Sequence, residues 1–193
     1  FIAPKLDTVK VAIIGVGARG SGHAAQLAEI EGVQFVGICD MVEARVKKSE
    51  AAVTKFGHTP KLYFGDENAW RLMLSETKPD AVFIATPWIT HAPMSIASMK
   101  AGAHAFVEVP MATTIKDLWD IVDTSEATGR HCMMMENVNY GREELLYLNM
   151  VRQGVLGDLL HAEAAYIHAL RFQMENGDST GSWRTFEYAK RNG

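Results

Sequence analysis

Short, continuously apolar runs alternate with longer amphipathic ones over the first two-thirds of the chain. VKVAIIG (9–15), VQFVGICD (33–40), KLYF (61–64), AVFIATP (81–87), HAFVEV (104–109) and HCMMMENV (131–138) read as strands. Between them lie segments with helical spacing: 21–30, where Ala24, Leu27 and Ala28 share a face; 42–56, charged and closed by Gly57; 67–76; 91–102; and 114–129. Strands that are apolar throughout, rather than alternating, belong to a parallel sheet covered on both faces. The expected fold class is therefore α/β, a doubly wound parallel sheet, over residues 1–138.

After Val138 the pattern changes. Residues 142–157 predict a helix with an apolar face and a Gly-rich end. Residues 158–172 predict a long strand with partial alternation, placing Leu160, Ala162, Ala164, Tyr166 and His168 on one side. This is expected to be the start of an α+β second domain, 139–193, whose single helix and strand are too few to form a core. The expectation is a chain that is a fragment of a longer one.

Candidate chemistry gathers where the first-domain strands end. Gly15, Gly17 and Gly20 form G-x-G-x-x-G between an apolar strand and a helix. The first glycine permits a tight turn, the second a close approach of pyrophosphate, and the third close helix–strand packing, with the phosphates on the helix N-terminus. Asp40 ends the next strand about 20 residues on, where a carboxylate binds ribose hydroxyls. An acid there disfavours a 2′-phosphate, and the first arginine after it is Arg45, which favours NAD over NADP. Thr86, Trp88 and His91 follow the fourth main strand; the plainer reading has His91 capping a helix and Trp88 covering the sheet edge. Glu108 and Asn137 end the two strands after that. Gly17, Asp40, Thr86, Glu108 and Asn137 thus mark one sheet edge, the side on which such folds bind ligands. His23, His58 and His131 read as structural or exposed, and Met133 to Met135 as core filling.

Composition narrows the classes. The chain has 193 residues, 48% hydrophobic and 22% charged, with net charge −4. It carries no basic footprint for nucleic acid or an anionic membrane surface. No apolar stretch approaches the ~20 residues of a membrane span. Cys39 and Cys132 read as buried free thiols, and no metal-ligand spacing is present.

GVGARG, ATPWITH, FVEVP, MMENVNY, LNMVRQGVLGDLLHAE and WRTFEYAKRNG together resemble the glucose–fructose oxidoreductase/inositol dehydrogenase superfamily. Within it they are similar to glycoside hydrolase family 109, the NAD-dependent α-N-acetylgalactosaminidases. The superfamily's sugar dehydrogenases usually carry Glu-Lys-Pro where this chain has Glu108-Val109-Pro110. There the lysine touches the hydroxyl being oxidised. The resemblance implies a Rossmann domain and a bound NAD that is used without being consumed. The sugar would be oxidised at C3, lose its C2 proton and anomeric group, take up water and be reduced again. Ordinary glycosidases use paired carboxylates instead, and no compelling pair is present.

Carried over by motif, Ala18, Arg19, Asp40, Trp88, Ile89, Thr90, His91, Glu108, Val109 and Asn137 would contact NAD, and Tyr166 and Arg184 the sugar. The family's Tyr-Pro-Thr-His segment, with its catalytic histidine, would follow Gly193. Ala169 departs from the acid or polar residue expected there. The resemblance also implies a small-molecule glycoside as substrate, a homo-oligomer built through the second domain, and export behind a removed twin-arginine leader in preference to a cytoplasmic location. Two other readings stand beside it: a conventional NAD-dependent sugar or inositol dehydrogenase, and an NAD-binding fragment without activity of its own.

Overall fold

A computed structural model describes residues 2–165, together with 167 and 169. Its first unit runs to Met135. It contains β1 (Val9–Ile14), α1 (Ala18–Ala28), β2 (Val33–Asp40), α2 (Glu43–Thr54), β3 (Lys61–Phe64) and α3 (Ala69–Thr77). There follow β4 (Ala81–Ile84), α4 (Trp88–Lys100), β5 (His104–Val107), α5 (Ile115–Thr128) and β6 (Cys132–Met134). The strands form one sheet in the order β3-β2-β1-β4-β5-β6, and every neighbouring pair is parallel. Strand order reverses between β1 and β4, the place where doubly wound sheets bind dinucleotides.

The alternation of side chains along β1 shows why its whole length is apolar. Val11 and Ile13 face a core with Phe35, Ile38, Val46 and Val53. Ala12 and Ile14 face the opposite core, with Cys39, Trp70, Met73 and Ile84. Each face has its own helices, so neither set of positions can be polar. Cys39 is buried and Cys132 partly so, and both are free thiols. Burial pushes them up to about 12 and about 11 respectively, which makes both poor nucleophiles.

Several boundaries differ from the sequence expectation. Helix α4 starts at Trp88 rather than His91, because Pro87 leaves the strand in an extended conformation and caps the helix start. The Thr90 hydroxyl then donates back to the Pro87 carbonyl and closes the first turn. β5 ends at Val107, and β6 covers only Cys132–Met134. Glu108, Val109 and Asn137 therefore lie beyond the strands, on the connections that follow them.

The second unit begins at Glu136. It contains α6 (Arg142–Arg152), which stops well before the expected 157. Gly154 and Gly157 beyond it both adopt positive φ. Residues 158–165 form no strand, contrary to expectation. Alternation makes a strand only where a neighbour accepts its hydrogen bonds, and the described residues hold no such neighbour for this segment. The rest of the expected strand, to 172, lies outside the described residues. Among the described residues no helix is long and apolar enough to cross a membrane, and none form a metal-binding cluster.

Candidate functional site: a dinucleotide crevice

The β1–α1 turn is held too tightly for any residue but glycine at two places. Gly15 has φ +85°, and a Cβ on it would sit 2.6 Å from the Ala85 carbonyl oxygen. Its N–H donates to the Cys39 carbonyl at 2.8 Å, pinning the turn to β2. A Cβ on Gly20 would land on the Gly15 carbonyl oxygen and come within 3.3 Å of the Ala85 Cβ. Gly17 is different. A Cβ there would meet nothing nearer than Arg45 Nη1 at 3.9 Å, so its surface is open to an incoming group.

Gly17 is the N-cap of α1, with no side-chain cap and no acidic residue in the first turn. The leading N–H groups of Ala18, Arg19 and Gly20 have no partner within the helix, as at any helix start. An open glycine, free N–H groups and the positive end of the helix dipole suit an anion. Asp40 ends β2 beside this turn. Its Oδ2 accepts from the Val16 N–H at 2.9 Å and its Oδ1 from the Val42 N–H at 2.9 Å. Arg45 Nη1 stands 3.7 Å from Oδ1. The carboxylate is fixed in orientation, and each oxygen keeps a lone pair for a ribose hydroxyl. These features fit a dinucleotide with an unphosphorylated adenosine ribose.

On the other side of the switch point lie the first turn of α4 and the β5 connection. Ile89 is exposed and Trp88 half-buried. The Thr90 and Thr86 hydroxyls lie 2.7 Å apart. His91 is only 1% exposed. Its Nδ1 lies 2.6 Å from the Pro110 carbonyl and its Nε2 2.7 Å from the Thr86 carbonyl. The ring sits between the β4 and β5 connections with a backbone carbonyl facing each nitrogen, and a neutral imidazole donates to one of the two at a time. Val109 is 39% exposed.

Glu108 brings in a residue that sequence reading left as structural or exposed. His23 Nε2 lies 2.5 Å from Glu108 Oε1, and Arg19 Nε 3.6 Å from the same oxygen. Burial alone would push the Glu108 carboxyl up. His23, Arg19 and the Val109 N–H outweigh it and hold the group below the usual carboxylate range. A carboxyl lowered by folding stabilises the fold above its ordinary range, and that contribution fades as pH falls through the lowered value. The signal in sequence was the spacing: Gly20 and Ala24 face the sheet, so His23 borders that buried face.

The first unit thus brings together Gly15, Gly17, Ala18, Arg19, Gly20, Asp40, Trp88, Ile89, Thr90, His91, Glu108 and Val109 at one sheet edge. Asn137 belongs to the second unit, exposed, with its N–H donating to Glu136 Oε1 at 2.9 Å. Tyr166 and Arg184 lie outside the described residues.

Comparison with known proteins identifies the family and its cofactor. Residues 9–136 match the oxidoreductase family with an NAD-binding Rossmann fold, and residues 140–193 match the C-terminal domain of glycosyl hydrolase 109. Glycosyl hydrolase family 109 protein 1 of Akkermansia muciniphila is 60% identical over the whole chain. The chain belongs to the NAD-binding oxidoreductase family, and within it to glycosyl hydrolase family 109. A family 109 protein of Shewanella sp. (strain W3-18-1) is 55% identical, again over the whole chain. This family 109 chain spans 40% and 42% of the length of those two relatives.

Solved structures share the fold of the family 109 chain. Myo-inositol 2-dehydrogenase from Lactobacillus plantarum superposes with a TM-score of 0.68 at 23% identity, over 79% of this chain and 43% of that one. The WlbA dehydrogenase from Bordetella pertussis, solved with NADH and UDP-GlcNAcA, gives 0.66 at 24% identity, over 78% and 43%. NAD is the cofactor of the family's Rossmann domain.

Proposed function

We infer that this chain is the cofactor-binding part of an NAD-dependent glycosidase that hydrolyses terminal α-N-acetylgalactosaminides without net redox change. The observation that carries the reading is Val109. It is exposed beside Glu108 at the β5 connection, the position where the superfamily's dehydrogenases usually place a lysine. A valine exchanges no proton with a sugar hydroxyl, so the site departs from the dehydrogenases' pattern and leaves the 3-hydroxyl proton to another group. Identity to family 109 proteins along the whole chain supports the hydrolytic alternative.

Bound NAD would supply a hydride acceptor for C3 of the sugar, with the 3-hydroxyl proton passing to a base other than Val109, and both would return at the end. The chain's own residues hold NAD there. The first turn of α1 takes the phosphates, Asp40 orients the ribose, and the α4 and β5 connections, with His91 between them, shape the far half. With C3 a ketone, the C2 proton is acidic and a positioned base gains roughly 10²–10⁴-fold by removing it. The anomeric group leaves as the C1–C2 double bond forms. Water then adds to C1, a proton returns to C2, and the ketone is reduced.

The test uses a protein carrying this chain with the remainder its relatives possess, loaded with equimolar NAD. With p-nitrophenyl α-N-acetylgalactosaminide we expect many nitrophenolates released per NAD and no accumulation of NADH. One NADH formed per sugar oxidised, with no nitrophenolate, would identify a dehydrogenase instead.

A further inference from the structure

His23 and Glu108 lie 85 residues apart in sequence and meet at 2.5 Å. His23 is on α1, the helix that follows β1 and offers its N-terminus to the phosphates. Glu108 follows β5. β1 and β4 are the strands at which the order reverses, so the pair clasps one half of the dinucleotide crevice to the other.

The clasp answers an electrostatic difficulty. A partly buried carboxylate near a pyrophosphate site repels the ligand unless its charge is compensated. Two cationic or donor groups reach Glu108 Oε1, and they are not equivalent. The Arg19 side chain is 56% exposed and stands 3.6 Å away. It sits in the first turn of α1 and is long enough to turn toward a phosphate, for which a guanidinium is well shaped. The His23 side chain is 21% exposed, shorter, and in full hydrogen-bond contact.

We propose that His23 is a positioning residue for NAD: by donating from Nε2 to Oε1 it fixes the Glu108 carboxylate across the switch point and leaves Arg19 to the cofactor's phosphates. The proposal rests on NAD binding and not on the sugar chemistry, so each can fail without the other.

NAD affinity is measured by calorimetric titration, with melting temperature followed in parallel. The variants are H23L, H23Q, E108Q and the double variant H23L/E108Q. Loss of a hydrogen bond to a charged group predicts NAD binding weaker by about 10-fold or more in H23L. H23Q, whose amide still donates, should bind close to the parent. In the E108Q background, replacing His23 should cost little more. Parent-like binding by H23L, H23Q as weak as H23L, or effects of H23L and E108Q that simply add would each overturn the assignment. Should H23L not fold, H23Q decides: near-parent affinity supports the clasp, and affinity as low as that of E108Q refutes it.

Discussion

Gly20→Ala is expected to abolish measurable NAD binding and to destabilise the fold by about 3 kcal/mol or more, at the upper end of overpacking costs. The added Cβ would land on the Gly15 carbonyl oxygen and lie 2.9 Å from its carbon. Relief requires moving backbone, and the backbone is held from several sides. Gly15 donates to Cys39, Ala85 donates to Ile14, and Val16 donates to the buried Asp40 carboxylate. Moving α1 outward instead would displace its first turn from the crevice. Gly22→Ala is the matched control. It lies on the same helix with nothing within 4 Å of its Cβ position, and should be neutral or stabilising by up to about 1 kcal/mol. Thermal unfolding and NAD titration of the two variants check the pair. A Gly20→Ala protein that melts and binds like the parent would mean that the turn is not packed as described.

Asp40→Asn is expected to weaken NAD binding by about 10–100-fold, although it changes one atom type. Both carboxylate oxygens accept from backbone N–H groups, Val16 on one and Val42 on the other. An amide has one oxygen, so its NH₂ must confront one of those donors. The buried side chain loses a hydrogen bond and gains a repulsion, for about 1–3 kcal/mol of stability. The substitution also releases Arg45, now 3.7 Å from Oδ1. The NAD-over-NADP preference should therefore fall further than overall affinity, because the freed guanidinium can pair with a 2′-phosphate. Parallel titrations with the two cofactors measure this, and an unchanged ratio would remove Asp40 from the ribose site.

The readable parts of the molecule were those set by local chemistry. Gly15, Gly17 and Gly20 follow from turn and packing geometry within six residues, and Asp40 from its place at the end of β2. The two-faced burial of β1 follows from its unbroken apolar run. The strand ends were less readable. Glu108 and Val109 continue an apolar-looking segment, but the ladder stops at Val107 where β5 last pairs with β4 and β6. Residues 158–165 have a strand's alternation without a strand's pairing. His23 was missed for a related reason. Its place beside the buried face of α1 was legible from the spacing, but its partner is 85 residues away. His91 was named as a cofactor contact, and the fold shows a ring whose two nitrogens each face a carbonyl, a role invisible without the two connections it lies between.

The most direct test of the glycosidase account is hydrolysis in D₂O by a protein carrying this chain and the remainder found in its relatives. The hydrogen at C2 of the released N-acetylgalactosamine is then read by NMR. Elimination through a C3 ketone predicts deuterium at C2 in the released sugar. Sugar released with its original hydrogen at C2 would contradict the account and point to direct displacement at the anomeric carbon.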